Sequence, residues 1–213
     1  MTRLVLIRHG ETAWNAVRRL QGHIDIPLNA EGERQAAALG AALAGERIDA
    51  VVASDLGRAR ATAHAVARHH GLPVHEDARL RERCYGAFEG LDYDAIARRY
   101  PDDFAAWQAR AVDAVMPAGE RAAESFRAFY QRTTTALLEW AARHPGQTLA
   151  IVAHGGVLEC AYRAALDLPL GTPRSFPIRN ASINRFQVAG GKLALTSWGE
   201  VDHLDPKALD ELA

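Results

Sequence analysis

The chain has 213 residues, 48% hydrophobic and 24% charged, enough to bury roughly 70% of its unfolded surface without disulfide or metal staples. Lys and Arg number 25 against 26 Asp and Glu, a net charge of -1, which excludes a global field for a polyanion or a membrane surface; no nucleic acid or membrane partner is expected. Cys84 and Cys160 form no C-x-x-C pair and read as free thiols. With a strand starting almost at once and no apolar run near the ~20 residues of a membrane span, the chain reads as cytoplasmic.

Residues 2–8 form a short apolar strand that runs into Arg8, His9 and Gly10. Asn29 then caps a helix to about Gly45, where Ala36, Leu39 and Leu43 recur at helical spacing. A second apolar strand, 49–53, leads into "SDLGRARATA" and a helix over 57–69 closed by Gly71 and Pro73; a third strand lies near 73–76. Residues 80–120 lack strand alternation and carry Gly86, Gly90, Pro101, Pro117 and Gly119 among short helical pieces, the pattern of an insertion over a sheet. A long helix is expected from about Ala122 to Arg143, with Phe126, Tyr130, Thr133, Leu137 and Trp140 as its core stripe. At 148–153 the opening grammar repeats in "LAIVAHGGV", an apolar run followed by His154 and Gly155. Residues 181–188 and 192–197 read as a hairpin, and the acidic, polar stretch after Trp198 is assigned no function.

Strands alternating with helices imply parallel pairing through right-handed crossovers. The expected fold class is therefore α/β. Its form is a three-layer sandwich, a mostly parallel open sheet with helices on both faces, and the helical insertion at about 80–120 over the active site, all in one domain spanning 1–213. Ligands in such sheets bind beyond the carboxyl ends of the strands. His9, Ser54 to Arg58, and His154 fall at such ends.

Histidines such as His64, His69, His70, His75 and His144 sit in helical or connecting sequence and need only surface or packing roles. His9 and His154 differ, because each follows a buried strand and precedes a glycine, Gly10 or Gly155, where backbone can approach a ligand closely. Arg8 at the end of such a strand calls for an anionic partner. Arg58 alone reads as a solvated helix-start arginine; with Arg8 and the two histidines it reads as part of an anion site at a helix N-terminus. Two planar guanidiniums match a phosphoryl group in bidentate fashion. No Walker loop, HExxH or aspartate-rich run is present, so neither a metal nor a cofactor is expected.

Five blocks, "RHGETAWN", "QGHIDIPLNAEGERQA", "SDLGRARATA", "LRERCYGAFEG" and "VAHGG", follow one another between residue 3 and about residue 190. In that order they resemble the histidine phosphatase superfamily, the phosphoglycerate-mutase-like enzymes. The resemblance implies that His9 is the nucleophile and forms a phosphohistidine, with Arg8, Arg58 and His154 steadying the transferring group. It implies that Glu82 is the acid/base carboxylate, which requires it to be partly protonated near neutrality. Asn15 matches a phosphoryl contact, and Gln21, Gly22 and Gly155 fall where the pocket is lined. The implied substrate is a small phosphorylated metabolite; oligomeric state is not readable.

The same family contains mutases, and the departures from their pattern favour hydrolysis. Where mutases carry a lysine after the Glu-containing block, this chain has Tyr93; where they carry an asparagine two residues past the second histidine, it has Gly156; and Arg110 lacks an arginine neighbour. Arg98 and Arg99 are expected on a solvated helix face. Tyr85 still resembles the mutase block, so a cofactor-dependent phosphoglycerate mutase stays open, as does a domain that binds phosphorylated ligands without turnover. Tyr85, Phe88, Phe104 and Trp107 read equally as a small core of the insertion or as a substrate wall. Cys84, two residues from Glu82, is a candidate for oxidation that affects activity.

Overall fold

Alternation along β1 (Thr2–Arg8) sends Leu4 and Leu6 into one core and Val5 and Ile7 into the other, none of them more than 2% exposed. Along β4 (Thr148–Ala153), Leu149, Ile151 and Ala153 likewise face away from Ala150 and Val152. An unbroken apolar run is what a strand covered on both faces requires. These two strands are central in a six-stranded sheet of order β3-β2-β4-β1-β5-β6, completed by β2 (Ala50–Ala53), β3 (Val74–Glu76), β5 (Ile183–Ala189) and β6 (Lys192–Glu200). The structure is a computed structural model and describes residues 1–205. Strands β1 to β4 pair in parallel, while β5 and β6 are an antiparallel hairpin attached to β1.

The helices α2 (Ala30–Leu43) and α3 (Gly57–His70) cover one face with Leu39, Leu43, Ala63 and Val66. The other face is covered by α6 (Phe126–Arg143) and α7 (Gly155–Ala165), through Phe129, Leu137, Val157 and Leu158. Burying each such Leu or Val stabilises by roughly 1.5–3 kcal/mol. The expected α/β layering and the added hairpin are both present.

Several expected boundaries move. Helix α6 begins at Phe126, because Ser125 Oγ accepts the Ala128 N–H at 3.1 Å and caps it there. Its apolar stripe is also rotated: Phe129, Thr133, Ala136 and Leu137 are buried, while Phe126, Tyr130 and Trp140 are half-buried at the margin. The sequence signalled neither α1 (Ala13–Ala16) nor α7, whose opening Gly155–Gly156 pair has low helix propensity. Strand β6 runs through Trp198 to Glu200, and Trp198 packs edge-on to Tyr162 and Phe176. The rest of the acidic tail past residue 205 lies outside the described residues.

The insertion holds α4 (Tyr93–Arg99) and α5 (Pro101–Gln108). Its core is Phe88, Ile96 and Met116, all buried, with Tyr85, Phe104 and Trp107 partly buried against them. Arg98 and Arg99 are exposed, as expected of a solvated face. Among the described residues no helix is long and apolar enough to cross a membrane.

Candidate active site

Parallel register pairs Arg8 with Ala153, so the next residue of each strand, His9 and His154, leaves the sheet beside its counterpart. The His9 N–H donates to the Ala153 carbonyl at 3.0 Å, and the two imidazole centroids lie 5.1 Å apart at 61°. His9 is 3% exposed; His154, at 0%, sits behind it and not on the cleft wall. Strand β2 ends alongside β4 and delivers Ser54, whose Oγ is 2.8 Å from His154 Nε2.

The hydrogen bonds decide which nitrogen does what. His9 Nδ1 lies 2.7 Å from the Gly10 carbonyl oxygen, a group that only accepts, so Nδ1 carries the proton and Nε2 keeps its lone pair. On His154 the buried Nδ1 has no hydrogen-bond partner. Its Nε2 faces Ser54 Oγ, which also accepts the Leu56 N–H at 3.3 Å.

The cations are held by backbone. Arg58 is 1% exposed and donates to the Gly22 carbonyl at 2.8 Å and the Ile24 carbonyl at 2.9 Å, while its buried Nε has no partner. Arg8 donates to the Ile178 carbonyl. Burial first, then Arg58 and Arg8, hold the His9 imidazole well below its ordinary 6.5, and burial and Arg58 do the same to His154. Burial brings the Arg58 guanidinium down to about 10, an effect opposed by the charges of Glu82, Asp25 and Glu89. Near pH 7 the site therefore presents neutral imidazoles beside a charged guanidinium.

A cleft of about 270 Å³ gathers Arg8, His9, Asn15, Gln21, Gly22, Arg58, Glu82 and Gly155. All the expected site residues meet there except His154. Asn15 Oδ1 accepts from Thr12 N at 3.1 Å and Thr12 Oγ1 at 3.0 Å, so the Nδ2 amide is its remaining donor. Glu82 arrives on the loop after the turn at Ala78–Leu80; its Oε1 accepts the Arg83 N–H at 2.8 Å and its Oε2 the Gly156 N–H at 3.0 Å. Gly156 is required here, because a Cβ would lie 2.8 Å from the Phe129 ring and overlap Glu82 Oε1. Gly22 turns at φ +53°, and a Cβ there would strike the Glu89 carboxylate, which itself accepts the His23 N–H at 3.0 Å.

The same cleft contains residues that the sequence did not point to: Arg18 and Arg19 on its rim, Arg174, Ile178 and Glu159. Arg174 and Ile178 come from the Pro- and Gly-rich loop after α7, which has no strand or helix signal to place it. Asn180 supports the His9 backbone, donating to its carbonyl at 2.9 Å. Cys84 and Cys160 are free and buried. Burial raises the Cys84 thiol above its ordinary value, which opposes the thiolate that oxidation needs and corrects the expectation of a redox-sensitive position. Among the described residues, no three His, Cys, Asp or Glu side chains are grouped to hold a metal ion.

Comparison with known proteins agrees with this geometry. Residues 4–201 match the family described as the histidine phosphatase superfamily, branch 1. Phosphoglycerate mutase-like protein 4 of Arabidopsis thaliana is 38% identical over 205 residues, covering 95% of this chain and 86% of its own. The solved structure of Bacillus stearothermophilus YhfR aligns with a TM-score of 0.87 at 37% identity, over 95% of this chain and 99% of that one. A mycobacterial glucosyl-3-phosphoglycerate phosphatase aligns at 0.81 with 30% identity, over 93% and 99%. With the family match running over residues 4–201 and relatives 37–38% identical over 95% of this chain, the chain belongs to the histidine phosphatase superfamily.

Proposed function

We propose that the protein hydrolyses a phosphomonoester of a small metabolite through a phosphohistidine on His9, without a metal ion or cofactor. The observation that carries this reading is the fixed tautomer of His9: Nδ1 faces the Gly10 carbonyl, so the neutral Nε2 lone pair is the nucleophile. Attack by Nε2 on phosphorus breaks the ester P–O bond, and the departing alkoxide takes a proton from Glu82. A water then attacks the phosphohistidine and returns its proton to Glu82, the P–N bond breaks, and inorganic phosphate leaves. One slow displacement is thus replaced by two faster ones. Arg8 and Arg58 stabilise charge on the phosphoryl oxygens, Asn15 Nδ2, Gln21 and the backbone at Gly22 and Gly155 complete the cradle, and His154 packs against the His9 ring from behind.

Three departures support hydrolysis over phosphoglycerate mutase chemistry. A Cβ at position 156 would crowd Glu82 Oε1 and the Phe129 ring, which disfavours a mutase-like asparagine there. Arg110 is already paired with Glu159 and does not await a substrate carboxylate. Tyr93, not lysine, borders the cleft. The phosphatase named among the solved relatives supports the same choice.

The test is phosphate release from a panel of phosphomonoesters in excess EDTA, with His9→Ala as control and a parallel isomerase assay on 3-phosphoglycerate primed with 2,3-bisphosphoglycerate. Metal-independent release lost in the variant is the expected result. Primed isomerisation faster than release would replace hydrolase by mutase, and ligand binding with neither activity would leave a non-catalytic phospho-ligand module.

A further inference from the structure

We infer that the leaving alcohol is a planar aromatic or heteroaromatic group, seated in a second chamber under the insertion; this rests on the phosphatase reading above. The chamber has a volume of about 450 Å³ and opens into the catalytic cleft at Leu20, Tyr85, Tyr93, Gly156, Glu159 and Arg174, which border both. It lies within the usual size range of small-molecule sites, roughly 300–1,000 Å³, and is larger than a three-carbon acid would fill.

Rings dominate its wall. Trp107 is the hub, with centroid separations of 5.6 Å to Tyr93, 5.8 Å to Tyr85 and 5.8 Å to Phe104. Phe126 and Phe129 contribute from α6. Tyr93 keeps 40% of its surface exposed, unlike Phe88, which is fully buried in the insertion's core. Half-covered aromatic rings around a cavity gain most from a ligand that covers the rest.

Of the three cations in this wall, Arg174 stands at the border with the catalytic cleft, where the phosphoryl group is placed, and the other two are satisfied within the fold. Arg110 pairs with Glu159, which also accepts from Arg163 at 2.9 Å. Arg83 donates to the Glu124 carbonyl at 2.9 Å and the Ala114 carbonyl at 3.3 Å, and lies 5.5 Å over the Tyr85 ring. An anionic leaving group seated on Arg110 or Arg83 would have to displace Glu159 or a carbonyl, and would still meet the Glu159 charge. A neutral ring meets flat apolar faces and disturbs neither pair.

Binding and turnover are measured separately. Affinities of the non-hydrolysable 1-naphthylmethylphosphonate and 2-carboxyethylphosphonate are compared in EDTA, alongside kcat/KM for 1-naphthyl phosphate and 3-phosphoglycerate. The aryl phosphonate is expected to bind at least about tenfold more tightly, and Trp107→Leu to remove most of that advantage while inorganic phosphate binds within about twofold of wild type. Because Trp107 also packs on the insertion's core, Tyr93→Leu at the exposed margin serves as the second variant. Equal affinity for the two phosphonates, or equal losses for both in the two variants, would overturn the inference. Aryl-selective binding with no phosphate release from any ester would uphold it and overturn the hydrolase reading instead.

Discussion

Lowering pH should unfold this protein through its own active site, ahead of the usual acid denaturation. His9 and His154 are held neutral in the folded state by burial and by neighbouring guanidiniums, whereas in the unfolded chain each takes up a proton below about pH 6.5. Because folded-state values are depressed, the unfolded state binds more protons in this window, and stability falls as pH drops below the unfolded value. For rings that stay neutral in the fold, the loss between about pH 7.5 and pH 5 is roughly 2 kcal/mol per histidine, or about 4 kcal/mol for the pair. Carboxylates held low by ion pairs, such as Asp55 and Asp77, lose their contribution only as pH approaches and passes below about 4, outside the window. Urea unfolding at fixed ionic strength would be compared for wild type and His9→Gln/His154→Gln. The double variant should shed most of the 4 kcal/mol pH dependence, and each single variant about half. His203, also depressed by burial, contributes equally to all four proteins. If the double variant lost as much stability as wild type across this window, the neutral-imidazole site would be refuted.

Four further outcomes follow from the same geometry. Glu82→Gln should lower turnover by roughly 10²–10⁴ and cost about 1–3 kcal/mol of stability, because the amide turns a donor toward the Arg83 or Gly156 N–H; steady-state kinetics with chemical denaturation reads both. Gly156→Asn should depress phosphate release by at least about tenfold without creating mutase activity, since the new Cβ meets Phe129 and Glu82; a gain in primed isomerisation would contradict this. Ser54→Ala removes the 2.8 Å partner of the buried His154 ring and should cost about 1–3 kcal/mol of stability, read by chemical denaturation. Orthovanadate in EDTA at about 100 times its Kd should stabilise the fold by ~2.7 kcal/mol, read as a thermal shift that Arg58→Leu abolishes.

What the sequence made legible was whatever depends on local pattern. The apolar runs of β1 and β4 announce buried strands, and a strand-His-Gly unit at each end announces a shared site, because adjacent parallel strands deliver their carboxyl termini to one place. Asn29 was readable as a cap, and it does accept the Gly32 N–H at 2.8 Å. Less legible were features set by tertiary context. A helix that starts Gly155–Gly156 has weak propensity, and it forms because α6 and the sheet cover its apolar face. The role of Gly156 is invisible until Glu82, 74 residues away in the chain, is seen to accept its N–H. Arg174 and Ile178 reach the cleft from a loop without periodicity. The insertion's aromatics could not be divided by composition: Phe88 is core, while Tyr85, Phe104 and Trp107 pack on that core and also wall a cavity.

The treatment of arginines across the molecule separates scaffold from site. Arg79, Arg81, Arg132 and Arg185 each face carboxylates at 2.5–2.9 Å, pairs that neutralise their charge within the fold. Arg58 is instead held in place by the main-chain carbonyls of Gly22 and Ile24, which fix its orientation, while Glu82, Asp25 and Glu89 compensate its charge only in part and from a distance. Desolvating such a cation is costly enough to pull it down to about 10, and a carboxylate contact would have relieved that cost. A carboxylate placed there would also compete with a phosphoryl group for the same donors, in a low-dielectric site where that competition is strong. The folded protein therefore keeps a cation without a paired carboxylate beside His9, and that charge adds to burial in keeping the imidazole unprotonated. On the proposed function, a phosphoryl dianion would supply the counter-charge, so that substrate affinity and loss of resting stability would arise from one arrangement.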